Sequence, residues 1–358
     1  VKKRAVDKDQ GASSSGPSWR VLLASGIFVV WLISSAIILY VSKTDPGVPS
    51  ENAAQPAPPQ KEAAIPFSNP VIEHGKQLIQ FHFPPTVAIG RIGTVEPMIL
   101  GTVHGKTIYS LLEVSHDNIN VAQGTVTMPA GGKLSFMPGE MLAVNPSSLT
   151  HFRPGEIYDV TMKRVREIDV DVYLEACSQI KGIIRLDLRK CPDLTREGAP
   201  FIDDYESLKH LHVNITRRAM PVVARLGALK KVESLGLYSN FDLSPVLANL
   251  RASINLKALR LESPVINEEN LRTVASLLIL DELALVSPIF DKPEAVASTL
   301  NIISHCPHLK VLSIETSNID QPVRLSAEGE KALAACKNLQ IMRINKSGNL
   351  LSGGGKQR

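Results

Sequence analysis

The sequence predicts an α/β solenoid of about eight repeated units, preceded by a small β-rich cap module and one transmembrane helix. Three observations predict it. A short apolar pattern recurs through the second half of the chain, a charge-free apolar run lies near the start, and a Pro- and Ala-rich stretch separates the two.

The repeat shows in VESLGLYSN, residues 232–240, where the apolar positions are Val232, Leu235 and Leu237. The same apolar-x-x-apolar-x-apolar spacing opens at Ile157, Ile183, Leu208, Leu256, Leu280, Leu309 and Leu339. Starts fall roughly 24 to 30 residues apart, and fixed-period self-similarity of this kind marks a stacked repeat protein. Alternate residues of a short strand point to one face, so each unit presents two apolar side chains that only a neighbouring unit can cover. Helical return segments are expected. Asp291–Glu294 reads as an N-cap with a capping-box Glu, followed by Val296, Leu300 and Ile303 on one stripe. Ser244-Pro245 reads as an N-cap followed by Pro at the first helical position, and residues 270–277 read similarly.

The spacing resembles the leucine-rich repeat, L-x-x-L-x-L-x-x-N/C. Asn240 fills the Asn place of its copy, Cys191 fills it in LDLRKC, and Asn214 falls just outside it. The resemblance covers residues 157–346 and implies a curved solenoid with strands inside and helices outside. Cys306 and Cys336 each precede a repeat-opening Leu by three residues, which resembles the cysteine-containing subclass of these repeats. Small buried thiols packed between helix and strand are expected at both places. Stacking of their repeats leaves a Cys306–Cys336 disulfide open as the alternative. The absence of flanking Cys clusters favours a bacterial chain.

The preceding segments follow in order. Residues 1–20 carry Lys2, Lys3, Arg4, Lys8 and Arg20 and read as a cytoplasmic juxtamembrane segment. Residues 21–41 contain no charge and are long enough, at about 1.5 Å per residue, to span a bilayer core as one helix. The excess of Lys and Arg before this run places the N-terminus in the cytoplasm and the repeats outside. Residues 42–66 are a Pro/Ala-rich linker. Residues 67–156 hold β-like runs (LIQFHF, TVAIGRIG, TIYSLLEV, GTVTMPAGGKLSF) without the repeat spacing, and read as a β-rich capping module over the first repeat. Residues 347–358 read as a disordered tail.

Composition narrows the function. Net charge is +4 and only 5% of residues are aromatic, so nucleic acid is not an expected partner. No P-loop, dinucleotide fingerprint, HExxH or G-x-S-x-G occurs, and no cofactor or metal is expected. The chain reads as non-catalytic. Its expected working surface is the concave face, formed by residues flanking the inward Leu of each strand. The residues expected to bind a protein or surface ligand there are Arg185, Asp187, Arg189, His210, His212, Tyr238, Arg260 and Glu262. Lys163, Arg164, Lys190, Asn214, Ser234, Gly236, Glu282, Ser313, Glu315, Arg343 and Asn345 share that face.

The order of basic segment, single membrane helix, Pro-rich linker and outer domain resembles the C-terminal half of bacterial membrane-spanning Ser/Thr protein kinases. That resemblance implies an alternative function, the sensor half of a kinase whose catalytic domain precedes Val1. These residues contain no kinase motif.

Overall fold

A computed structural model describes residues 66–163, 169–192, 194–262, 265–290, 301–315, 327–344 and 351–352. The expected membrane helix (21–41), almost all of the linker, the capping box at Asp291–Glu294 and nearly all of the tail lie outside these residues. Among the described residues no helix is long and apolar enough to cross a membrane.

Every expected repeat start leads into a strand. These are β7 (Ile157–Lys163), β8 (Arg185–Lys190), β9 (His210–Asn214), β10 (Ser234–Tyr238), β11 (Ala258–Glu262), β13 (Glu282–Val286), β15 (Val311–Glu315) and β16 (Ile341–Ile344). They pair in parallel, each with the next. The register is repeat-on-repeat: Leu186, Leu211, Leu235, Leu259, Leu283 and Leu312 form one row across the sheet, and all are fully buried. Burying a Leu in this way contributes about 1.5–3 kcal/mol. The result is a solenoid of stacked strand units with one large sheet.

The return segments are less regular than expected. Val170–Cys177, Ser244–Leu250 and Glu268–Ala275 are α-helices, but Ala199–Asp204 is a 3-10 helix, and Met220–Val223 and Ala228–Lys231 are single turns. The cap at Ser244 also differs from the expectation. Ser244 is already helical, and the Asp242 carboxylate accepts from its backbone N–H at 2.9 Å and its hydroxyl at 2.6 Å. A carboxylate accepts both bonds at once, which a hydroxyl at the same end does not. The next helix begins at Glu268, capped by Asn267, which accepts from the Asn270 N–H. Two short strands, β12 (Val265–Ile266) and β14 (Ile289–Phe290), pair beside the main sheet.

The β-rich segment joins the repeats rather than standing apart from them. It comprises β1 (Ser68–Glu73), β2 (Lys76–His82), β3 (Gly90–Val103), β4 (Lys106–Val121), β5 (Thr125–Pro129) and β6 (Leu134–Pro138). Strands β1, β2 and β5 form a small antiparallel sheet. Strand β6 pairs in parallel with β7, β3 pairs with β6, and β4 pairs with β3, so one twelve-stranded sheet runs from β4 to the terminal strand β17 (Leu351–Ser352). Phe81, Phe136 and Leu149 lie in the same core as the repeat leucines.

Two hairpins in this segment turn on the same dipeptide. His74-Gly75 joins β1 to β2 and His104-Gly105 joins β3 to β4, with positive φ at all four residues. Two successive positive φ angles make the turn whose twist matches paired strands, and Gly carries the second at no steric cost.

Candidate functional site

The face of the sheet away from the core carries three rows of side chains in register. The first runs Asp159, Arg185, His210, Ser234, Ala258, Glu282, Val311, Ile341. The second runs Thr161, Asp187, His212, Gly236, Arg260, Ala284, Ser313, Arg343. Asn214, Tyr238, Glu262, Val286 and Glu315 form the third, nearest the C-terminal strand ends, and Arg189 of β8 lies beside them. The sequence places all eight expected site residues on this face, and the structure brings them together. Arg164 and Asn345 lie outside the described residues.

The face is not open along its length. The outer part of the β3–β4 hairpin forms an arm that crosses it from β8 to β16. The arm leaves the sheet at a bulge, where Gly93 stands opposite Asn118 and Ile119, and Asn118 has φ +51°. Thr94 still pairs with Leu134 of β6, and the Val95 N–H still donates to the Lys133 carbonyl; beyond Val95, β3 and β4 pair only with each other. A second and larger bulge follows. Pro97 pairs with Val114 and Ile99 with Tyr109, so Ser110-Leu111-Leu112-Glu113 stands opposite Met98 alone. Pro has no N–H to give a ladder, which suits it to a strand at a bulge.

Those four residues are pushed into the polar face. Ser110 Oγ accepts from the amides of Leu112 and Glu113, closing a tight turn, and donates to Glu282 Oε1 at 2.8 Å. The Leu111 N–H donates to Glu282 Oε2 at 2.9 Å, and the Leu111 carbonyl accepts from Ser234 Oγ at 2.9 Å. The Leu112 side chain packs on Ala258 and Ala284, whose small size leaves room for it. Glu113 lies between two guanidiniums, Arg260 at 2.9 Å and Arg189 at 3.0 Å. Farther along, Leu100 packs with Val311 and Ile341, and Arg343 donates to the Leu100 carbonyl.

Beneath the arm the face is ionic. Asp159 is fully buried. Its Oδ2 accepts from Ser135 Oγ at 2.5 Å, Thr161 Oγ1 at 3.0 Å and His116 Nε2 at 3.1 Å, while its Oδ1 faces Arg185 Nε at 3.5 Å. Arg185 Nη2 donates to the Leu112 carbonyl at 2.9 Å and to His212 Nε2 at 3.3 Å. A guanidinium only donates, so Nε2 accepts and the His212 proton sits on Nδ1, which donates to Tyr238 OH at 3.0 Å. Burial and the adjacent Arg185 accordingly hold His212 well below the usual imidazole range. The same two causes lower His210 to about 4. Burial acts to raise the Asp187 carboxyl, but the Arg189 guanidinium, at 2.7 Å, and the nearby Arg185 outweigh it and hold it low. Burial raises Glu282 despite its bonds to Leu111 and Ser110. Among the described residues no group of three or more His, Cys, Asp or Glu could hold a metal ion.

The third row stays partly open. Glu262 retains 35% of its side-chain exposure and Arg189 retains 25%. They border a cleft of about 520 Å³ at the strand ends, together with Asn214, Tyr238, Arg217 and Phe241. The exposed Arg217 guanidinium lies 5.8 Å from the Phe241 ring centre. Asn240, placed by the repeat spacing where an inward Asn is usual, is instead exposed at this cleft. Cys191 is fully buried at the corresponding place in β8's repeat. Cys177, Cys306 and Cys336 carry free thiols, and burial pushes Cys306 up to about 11.

Sequence reasoning missed the arm. Its signals were the His104-Gly105 turn and the Pro97 that interrupts β3; the four-residue insertion itself has no local signature.

No family model matches the chain, and no curated protein matches it. Among solved structures, internalin C2 from Listeria monocytogenes str. 4b F2365 is similar over 55% of this chain and 73% of its own, at 17% identity and a TM-score of 0.31. An internalin (inlF) from the same strain is similar over 56% of this chain and 70% of its own, at 14% identity and a TM-score of 0.27.

Proposed function

We propose that this chain is a non-catalytic scaffold that binds a protein partner, and that the partner is met at the C-terminal edge of the polar face. The cleft bounded by Arg189, Asn214, Arg217, Tyr238, Phe241 and Glu262 carries the proposal. It combines aromatic surface, both signs of charge and amide groups on loops held by a rigid sheet, the composition of a protein-recognition site. The arm leaves this edge uncovered while it closes the first two rows.

The apolar run 21–41 supports a second element of the proposal, a single membrane anchor with the repeats outside the cytoplasm. Protease treatment of intact cells tests it: repeats that survive while outer proteins are cut would sink the orientation. The sensor-half alternative rests on segment order alone. It predicts ligand-dependent phosphorylation by a kinase encoded in frame before Val1.

The partner site is tested by a photo-crosslinking residue at Asn240 or Arg217, compared with Ile254, which is exposed and away from the cleft. Protein adducts at the first two positions and none at Ile254 are expected. Equal labelling at all three would refute the site.

A further inference from the structure

The arm is fastened mainly by side chains of the face it covers rather than by a backbone ladder. A loop kept only to staple repeats together would gain most from apolar packing, because buried ion pairs offer little advantage over apolar residues of the same volume. Here the apolar contacts reduce to two small clusters, one around Leu112 and one around Leu100. The remaining contacts are polar and specific: a carboxylate between Arg189 and Arg260, a hydroxyl and an amide on Glu282, and a carbonyl on Arg185. Uncovering such a face exposes charge that water solvates well. The arm also leaves the sheet just past one bulge, Gly93 against Asn118 and Ile119: after the Thr94–Leu134 pair and the Val95 N–H bond to the Lys133 carbonyl it has no sheet neighbour outside itself.

We propose that the polar face beneath the arm is a peptide-binding site, that its ligand is a partner-protein turn of the type hydroxyl–Leu–Leu–carboxylate, and that Ser110–Glu113 is its built-in occupant. The observation that assigns the ligand is charge and shape complementarity: Arg189 and Arg260 for the acid, the Ala258–Ala284 hollow for the second Leu, and Glu282 for the hydroxyl and the following N–H. This site shares Arg189 with the edge cleft proposed above but does not depend on that reading. An external turn must displace the arm, so its apparent affinity falls by the fraction of chains in which the arm is off.

The probe is a labelled synthetic peptide with the sequence of Thr107–Ser115, titrated against the full chain in detergent. With the double variant L112A/E113Q, which loosens the built-in turn, binding at least about tenfold tighter than to the wild-type chain is expected. A peptide with Gln in place of its Glu should bind about tenfold more weakly, as should the native peptide when Arg260→Gln is added to the chain. On the unaltered wild-type chain, excess peptide should speed hydrogen exchange of the amides of residues 96–115 and leave those of β9–β11 unchanged. This second readout stands if the double variant fails to fold. The proposal is overturned if a folded double variant binds no peptide, if the Gln peptide binds equally well, or if excess peptide leaves arm exchange unchanged. A dimer with crosslinks from one copy's arm to the other copy's face would also overturn it, assigning the site to a second copy. R217E/F241A, which disables the edge cleft, should leave peptide binding unchanged, so the two readings fail separately.

Discussion

Ser110 donates a hydrogen bond to Glu282 at 2.8 Å across a sequence separation of 172 residues, and through it a segment preceding the first repeat is fastened to the sixth repeat strand. Glu282 also accepts from the Leu111 N–H, and Ser110 also holds the amides of Leu112 and Glu113. Removing either side chain leaves buried partners unmet, so Ser110→Ala and Glu282→Ala should each cost about 1–3 kcal/mol in urea unfolding. The double substitution should cost less than the sum, because the groups each single change strands are then removed together. Strict additivity would show that the contact contributes nothing.

Acid should destabilise the face through His210. Its imidazole is lowered to about 4 by burial and Arg185, against an unfolded value near about 6.5. Between these values the unfolded chain binds the extra proton, so stability rises with pH there. The contribution is complete above about 6.5 and is lost as pH falls toward about 4. His212, lowered in the same direction, adds to the loss. Melting temperature should therefore fall across this window, and His210→Phe should shrink the fall. An unchanged slope in that variant would remove His210 as a cause.

The repeat strands were legible because the period of the pattern equals the period of the structure: each of the eight starts, Ile157 to Leu339, opens a strand. The identity of the face residues was legible for the same reason, since alternation fixes which side chains oppose the leucines. Their burial was not. Arg185 at 1% exposure reads in sequence like any charged strand residue, and only the distant bulge at Ser110–Glu113 buries it. The run TIYSLLEV announces a strand but not its partner, because hairpin register here is broken by an insertion rather than carried by the turn. At Ser244 the capping group was misplaced by two residues, the usual scale of error at a helix end.

Gly236 tests how closely the second row is fitted. A Cβ there would lie 2.8 Å from His212 Nδ1 and 3.1 Å from Tyr238 Cε2. His212 is fully buried and bonded at both nitrogens, so it has no empty space to yield into. Gly236→Ala should cost about 1–3 kcal/mol by overpacking. Hydrogen exchange of the Leu112 amide should accelerate as Arg185 loses its seat. A neutral result would mean that the row gives way cheaply.

The third to seventh repeats carry a charge of alternating sign just after their opening apolar residue, Lys209, Glu233, Lys257, Asp281 and Lys310, and these side chains form a partly exposed ladder. Glu233 contacts Lys257 at 2.8 Å and Lys209 at 3.2 Å, and Asp281 contacts Lys310 at 3.0 Å. The hydrogen bond from Lys257 is the leading cause of the lowered Glu233 carboxyl, a small stabilisation present above the unfolded pKa and lost in acid. Solvent-screened pairs of this kind contribute about 0.2–1 kcal/mol each. Glu233→Lys should lower stability modestly at low salt, and the loss should shrink at 1 M salt, where the Debye length is about 3 Å. A loss that does not change with salt would point to packing instead.

Asp159 and Arg185 present the opposite case. Both are buried, and the facing atoms, Oδ1 and Nε, lie 3.5 Å apart with no hydrogen bond to any group. A buried pair of imperfect geometry contributes little net stability, yet removing one member strands the other in a place water does not reach. Asp159→Leu should therefore cost about 3–5 kcal/mol, since it leaves Arg185 without a counter-charge on this side and also removes the acceptor of Ser135, Thr161 and His116. Asp159→Leu combined with Arg185→Met should recover part of that loss, because the stranded cation goes with its partner. The double variant also deletes the donor to the Leu112 carbonyl. If Arg185 helps to hold the arm as well as to balance Asp159, the recovered protein should show faster hydrogen exchange in residues 96–115 than the wild-type chain at equal global stability. If arm exchange follows global stability alone, Arg185 serves the sheet and not the arm.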